Sequence, residues 1–304
     1  MSQWIQSFTG APFARRIADA GLSRYAAMRV RQIDDLDLVR TQRNVLLNLL
    51  HKARDTKFGR DHRFARLTSI AEFQKWVPLR TYEQFWDEYM ASHYPNMKGI
   101  TWPEFIPYYA LSSGTTSGAT KYLPVTRQMV ESNRKAALTN LSYFVHEHPN
   151  APIFRGRIFF LGGSTDLKLN TDGSLYGDLS GISAREVSDA LRPYFYPPPD
   201  IALLGEWEKK VEILAEQSAR LPITAISGVP SWLKTLFDYL KNVTGKQHIA
   251  DIWPTLQLVI HGGAMFEPYR RVFREMIGND AVVFQDTYPS SEGYVAVEDL
   301  RYQI

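Results

Sequence analysis

Apolar positions recur at helical spacing early in the chain: Val39, Val45, Leu46, Leu49, Leu50 and Ala53 mark one face of an amphipathic helix over residues 38–54, and Gly59 follows its end. Ser69 with Glu72, and Thr81 with Gln84, have the spacing of capping boxes, ahead of the aromatic groups Phe73/Trp76 and Phe85/Trp86/Tyr89. Residues 1–110 are therefore expected to be mostly helical. Beyond residue 155 the pattern changes to short β-rich runs alternating with helical stretches bounded by Gly and Pro. Residues 158–161, 223–226, 256–260 and 281–285 read as strands. A helix carrying Trp232, Leu233, Leu236, Phe237 and Leu240 follows the second, and another over residues 267–277, stopped by Gly278, precedes the fourth. This β-α-β-α-β order predicts an α/β fold with parallel strands over residues 111–304, with ligands beyond the carboxyl ends of the strands. No internal repeat is evident, and residues 191–199 read as a loop or a short polyproline stretch.

Composition adds exclusions. With 44% hydrophobic and 22% charged residues the 304-residue chain fits a folded protein with a sizeable core. A formal charge of +3 is no nucleic-acid signature. The basic bias is local, with 13 Lys and Arg against 6 Asp and Glu in residues 1–66; Arg15, Arg16, Arg29 and Arg31 either meet an acidic partner or form a solvated helical face. The absence of cysteine excludes disulfides, thiol nucleophiles, thiolate zinc sites and iron-sulfur clusters, and it fits a reducing compartment. No apolar run approaches the ~20 residues of a membrane span, and the N-terminus does not read as a secretory signal. The expectation is a cytoplasmic protein with no membrane and no nucleic-acid partner.

Candidate chemistry concentrates in glycine-bearing segments. SSGTTSGATK, from Ser112 to Lys121, crowds hydroxyls and glycines into a loop that ends in a cation. It lacks Walker spacing, but its logic is similar: small residues let N–H groups approach phosphate oxygens, hydroxyls add donors, and an ammonium offsets charge. An ordinary flexible loop is the alternative. YPSSEG, from Tyr288 to Gly293, follows a predicted strand and sets a hydroxyl beside a carboxylate, a pairing suited to a phosphate and Mg²⁺, although Glu292 alone is equally a surface carboxylate or a cap. HGGAMFEP, from His261, joins a strand end to a helix start, and as a simple tight turn it would need no ligand. FLGGST (160–165) and YGDLSGI (176–182) either wall a pocket or are plain turns. The seven histidines form no HExxH pattern, and His261 either faces a pocket or packs. Trp207, Trp232 and Trp253 read as core.

In this order and on these elements the three motifs resemble the acyl-adenylating superfamily. The segments NLLHKARDTKFGRDHRF, FQKWVPLRTYEQF and SSGTTSGATKYLPVT sharpen this to a resemblance, over about residues 40–300, to the Gretchen Hagen three family of acyl acid amido synthetases, which has auxin-responsive plant members and bacterial ones. The resemblance implies layered sheets with flanking helices, the large N-terminal nucleotide-binding (adenylation) domain spanning 1–304. It also implies ATP-dependent activation of a carboxylic acid to an acyl-adenylate, then amide formation with an amine or amino acid. An acyl-CoA ligase and a non-catalytic nucleotide-binding protein remain alternatives. By position, Ser112, Ser113, Thr115, Thr116, Ser117 and Lys121 would hold the phosphates of ATP, with Gly114 and Gly118 allowing close approach. Gly262, Gly263 and Ala264 would border adenine and the acyl group, Tyr288 would lie against adenine, Ser291 would contact the α-phosphate, and Glu292 would bind Mg²⁺. Two departures stand out. Pro289 occupies a position where the family has a small residue, and the family pattern continues past the equivalent of Ile304, into a third motif with a ribose-binding Asp and a small C-terminal domain. A fragment, or a shortened bacterial member, is the expectation.

Overall fold

The computed structural model describes residues 10–113, 120–163, 166–202 and 204–302, and the chain divides into two units. Its strands run in chain order as β1 (Tyr108–Ser113), β2 (Thr120–Val125), β3 (Arg157–Leu161), β4 (Lys168–Leu169), β5 (Leu175–Gly177), β6 (Phe195–Tyr196), β7 (Ile223–Gly228), β8 (Leu258–Gly262), β9 (Val283–Ser290) and β10 (Gly293–Val297). Among the described residues no helix is long and apolar enough to cross a membrane.

One unit comprises Gln32–Met129 with Lys168–Gly177. Asp37 starts the helix Leu38–Ala53 by accepting the Arg40 N–H at 2.9 Å. The inner face, Leu50 and Ala53, packs with Phe64, Leu67, Phe58 and Phe73. Thr56 accepts the Gly59 N–H at 3.0 Å and donates to the Ala53 carbonyl at 2.6 Å. A Cβ on Gly59 would run into that same carbonyl, so this turn requires both residues. His62 is buried between the Phe58 carbonyl, 2.9 Å from Nδ1, and Arg80, 3.1 Å from Nε2, while Arg80 also binds Glu88 at 2.8 Å. Thr81 and Gln84 form the expected reciprocal capping box. Ser69 caps as expected, but Glu72 reaches one residue further back, to the Thr68 N–H at 2.7 Å. A four-stranded sheet of order β2-β1-β5-β4 completes the unit, with Tyr109, Tyr94, Trp86, Tyr122 and Tyr176 in one aromatic cluster. The sequence pattern did not announce this sheet.

The other unit contains Met1–Arg31, Val130–Leu167 and Asp178–Ile304. Its sheet has the order β10-β9-β8-β7-β3-β6, parallel throughout except for the β9–β10 hairpin. Successive residues point to opposite faces. Phe159, Ile226 and Val259 join a core with Val211, Leu214, Leu233, Phe237 and Phe273 from the helices Trp207–Ser218, Pro230–Thr244 and Glu267–Ile277. Ile158, Ala225 and Leu258 meet Leu22, Ala26, Leu141 and Phe144 on the opposite face. Helices thus cover both faces, which is why these strands read as continuous apolar runs. Arg15 donates to the carbonyls of Phe154, Gly156 and Pro193, each at 2.7 Å, and Arg29 to Thr139 at 2.9 Å. These two arginines are built into the fold, whereas Arg16 and Arg31 are exposed. The segment 191–199, expected as a loop, contains β6 and the first residue of the helix Pro199–Ala202; pairing of β6 with β3 overrides the local proline signal.

Candidate functional site

SSGTTSGATK closes a β-hairpin. Ser112 and Ser113 end β1, Thr120 and Lys121 begin β2, and the antiparallel register sets Ser112 opposite Lys121. Gly114, Thr115, Thr116, Ser117 and Gly118, with the Ser113 side chain, lie outside the described residues. The expected loop therefore has strands at both ends, and its cation stands directly across from its first hydroxyl. The base of the hairpin is fixed by Tyr82, whose hydroxyl accepts the Tyr122 N–H at 2.8 Å. The Lys121 ammonium sits 5.2 Å above the Tyr82 ring and makes no ion pair among the described residues. A cation positioned by an aromatic face and unneutralised by a carboxylate is available to a phosphate.

In the other unit, the structure brings the HGG and YPSSEG segments together at the carboxyl ends of β8 and β9. Gly262 pairs with Thr287, and a Cβ on Gly262 would collide with the Thr287 carbonyl. Gly263 follows at φ +79°, in the left-handed region that glycine adopts without strain. Ala264 is exposed just before the helix Glu267–Ile277, whose second residue is Pro268. YPSSEG does not follow β9 but forms its end: Tyr288, Pro289 and Ser290 are in the strand, Ser290 pairs with Gly293, and Ser291 and Glu292 make the turn into β10. Tyr288 is 58% exposed, Glu292 is exposed and Ser291 half-buried.

His261 packs rather than facing a pocket. It is 3% exposed and lies flat on Phe266, with ring centroids 3.7 Å apart and planes at 11°. Its Nδ1 has no hydrogen-bond partner; Asp286 Oδ1 at 3.5 Å is too far to provide one. Burial outweighs the pull of Glu298 and, with Arg270 acting in the same direction, pushes the imidazole down to about 4, so the ring is neutral at pH 7.

The described parts of FLGGST and YGDLSGI also meet. Ser180 Oγ accepts the Gly163 N–H at 3.2 Å, and Cβ atoms on Gly162 and Gly163 would lie 2.9 Å from Ser180 Cβ and Asp178 Oδ2. Ser164 and Thr165 lie outside the described residues. Beneath this turn is a residue that sequence reasoning missed: Lys210, 1% exposed, donates to the carbonyls of Gly163 at 2.7 Å, Ala202 at 2.6 Å and Gly162 at 3.4 Å. The signal was a lysine beside Val211 and four residues before Leu214, on the buried face of its helix.

No group of three or more His, Asp or Glu able to hold a metal occurs among the described residues. Glu292, alone and exposed at the hairpin turn, suits a Mg²⁺ that carries most of its ligands as phosphate oxygens and water. The cation and hydroxyl of the β1–β2 hairpin likewise suit a polyphosphate.

The fold is shared with solved structures. An AtGH3.15 acyl acid amido synthetase in complex with 2,4-DB superposes with a TM-score of 0.73 at 14% identity, over 90% of this chain and 56% of that one. A further GH3.15 acyl acid amido synthetase structure gives 0.71 at 14%, over 90% and 57%. An open conformation of 2-hydroxyisobutyryl-CoA ligase with 2-HIB-AMP and CoA gives 0.55 at 13%, over 83% and 53%. At these identities the likeness is one of fold, that of the N-terminal part of acyl-adenylate-forming enzymes, and the chain spans little more than half the length of these structures. No curated protein sequence matches the chain. Residues 35–206, more than half of its length, match the model of the GH3 family N-terminal domain, and the chain belongs to the GH3 family.

Proposed function

We propose that this chain is the adenylation domain of an acyl acid amido synthetase: it joins a carboxylic acid to the α-phosphate of ATP, releasing pyrophosphate, and the acyl group then passes to an amine or amino acid as an amide. The observation that carries the reading is the β1–β2 hairpin, where Lys121 faces Ser112 without a counter-ion among the described residues. In this reading Ser112, Ser113, Thr115, Thr116, Ser117 and Lys121 hold the phosphates, and Gly114 and Gly118 let the main chain approach them. Gly262, Gly263 and Ala264 border adenine and the acyl group, Tyr288 offers its exposed ring to adenine, and Ser291 contacts the α-phosphate. Glu292 supplies one Mg²⁺ ligand, and Mg²⁺ when bound offsets charge on the phosphates. Two anions must meet, so the protein acts by positioning and by neutralising charge. The first step requires no general base, because a carboxylic acid is already ionised at neutral pH. A cytoplasmic setting, with ATP at hand, fits the cysteine-free sequence.

The test is pyrophosphate release from MgATP by the full chain with 2,4-DB, benzoate or octanoate, the first because the AtGH3.15 structure contains it. Acid-dependent release that Lys121→Ala reduces about tenfold or more supports the reading. Saturable MgATP binding without release from any acid would favour a nucleotide-binding protein. The CoA-ligase likeness supports a second reading, thioester formation, and trapping the product with CoA against a panel of amino acids separates the two.

A further inference from the structure

Lys210 stands out among the buried groups because the chemistry proposed above leaves it unused. Burying an ammonium costs several kcal/mol unless its donors are satisfied. Here three carbonyls from two separate segments converge on the three donors of one side chain. The remaining space, lined by Phe160, Gly162, Ser180, Ala184, Ala202 and Lys210, is about 10 Å³, room for one water at most. From the other side the turn is held by Ser180 Oγ on the Gly163 N–H, and a Cβ on Gly162 would press on Ser180 Cβ at 2.9 Å.

The location in the sheet is informative. From β3 the chain passes to β6 on one side and then returns to β7 on the other, so the strand order reverses at β3. In parallel sheets, ligands occupy the crevice beyond the carboxyl ends of the strands at such a reversal. The Gly162–Gly163 turn is the carboxyl end of β3.

We propose that Lys210 is a positioning residue for the acyl acid: its ammonium ties the turn after β3 to Ala202 while Ser180 holds the same turn from the other side, so that Gly162–Gly163 and Ser180 form one preset wall of the acid's site. The inference rests on the amido synthetase reading. Lys210 does not touch substrate; it fixes the main chain that does. Among the described residues Asp178 is the charged neighbour whose field acts on the ammonium, favouring its charged form, while burial brings its pKa down to about 8. Loss of the proton removes one of three donors and the charge, so the wall loosens as pH rises through that value.

The experiment measures KM for the acid giving the fastest pyrophosphate release in the panel, and Kd for MgATP, in wild type, Lys210→Met and Ser180→Ala from pH 7 to 9.5. Lys210→Met should raise the acid KM about tenfold at pH 7, with kcat and MgATP affinity within about twofold, and its KM should no longer respond to pH. Ser180→Ala should raise the acid KM about threefold and keep the wild-type rise above about pH 8. A folded Lys210→Met with unchanged acid KM and intact MgATP binding overturns the proposal and leaves the amido synthetase reading standing. Should Lys210→Met fail to fold, an unchanged acid KM in Ser180→Ala together with a flat wild-type profile overturns it equally. A wild type that binds MgATP but releases no pyrophosphate with any acid removes the reading and the inference with it.

Discussion

Acidification should destabilise the unit with the six-stranded sheet through one residue, His261. Its pKa in the folded chain is about 4, against an ordinary 6.5, because the ring is buried on Phe266 with Nδ1 unpaired. The folded state therefore resists the proton that the unfolded chain accepts. As pH falls below 6.5 the unfolded state binds protons first, so stability is complete above that pH and is lost progressively down to about 4. From these two values, the loss between pH 7.5 and 5.0 is about 2 kcal/mol, rising toward about 3 kcal/mol once both states are protonated. Urea denaturation at the two pH values, in wild type and in His261→Phe, measures it. Phenylalanine keeps a flat ring on Phe266 and removes the titration, so the variant should lose about 2 kcal/mol of pH dependence relative to wild type. Carboxylates such as Asp19, raised by burial, and Asp61, lowered by Lys57, titrate in both proteins and cancel in the difference. A difference below about 0.5 kcal/mol, or an imidazole signal titrating near 6.5 by NMR, would refute the reasoning.

Three further perturbations have a definite sign. Glu292→Gln should raise the Mg²⁺ concentration for half-maximal pyrophosphate release several-fold, and an unaltered Mg²⁺ titration removes Glu292 from the metal. Gly262→Ala drives a methyl into the Thr287 carbonyl and should cost about 1–3 kcal/mol in thermal or urea unfolding; a neutral result would mean that β8 and β9 can separate without penalty. Thr81→Ala removes one half of a capping box and should cost about 1 kcal/mol, readable as faster amide exchange at Gln84, whose N–H loses its acceptor.

How much was legible follows from where each element finds its partners. The helix expected over 38–54 ends one residue earlier, and the caps at Ser69 and Thr81 lie where the spacing put them, because capping is decided within four residues. Of the parallel strands, β3, β7, β8 and β9 were legible because both faces of the sheet are covered and their runs are mostly apolar, whereas β6, two residues long beside prolines, was not. In contrast, β1 and β2 carry hydroxyls, tyrosines and a lysine, and they exist through pairing with one another, which no local window reports. The helix Arg127–Glu147 escaped notice because its buried residues crowd its second half, Thr139–Val145, without a single-face period. At the candidate site the hydroxyl, glycine and carboxylate positions were readable as motifs. Lys210 was not, since a lysine's destination depends on carbonyls 47 and 48 residues away.

The segments that identify the family in residues 48–64 and 73–85 have structural work to do. Gly59 lets the main chain cross Ala53, Thr56 caps the turn, and His62 from the first segment meets Arg80 from the second, which in turn binds Glu88 and lies 5.9 Å from the Phe58 ring. Removing any one of these leaves a buried polar group or a main-chain clash, so the signature is enforced by packing whatever the reaction. Packing thus accounts for two of the three segments that carry the resemblance, while the third, residues 112–126, holds the hydroxyls and the lysine of the proposed phosphate site. Under the proposed function Lys121 bears on both, since its ammonium lies 5.2 Å above the Tyr82 ring of the second segment, whereas a change at His62 or Arg80 acts on the packing. Those two segments therefore report that the scaffold is built, and the proposed chemistry is tested separately, at Lys121, at Glu292 and at the turn that Lys210 holds.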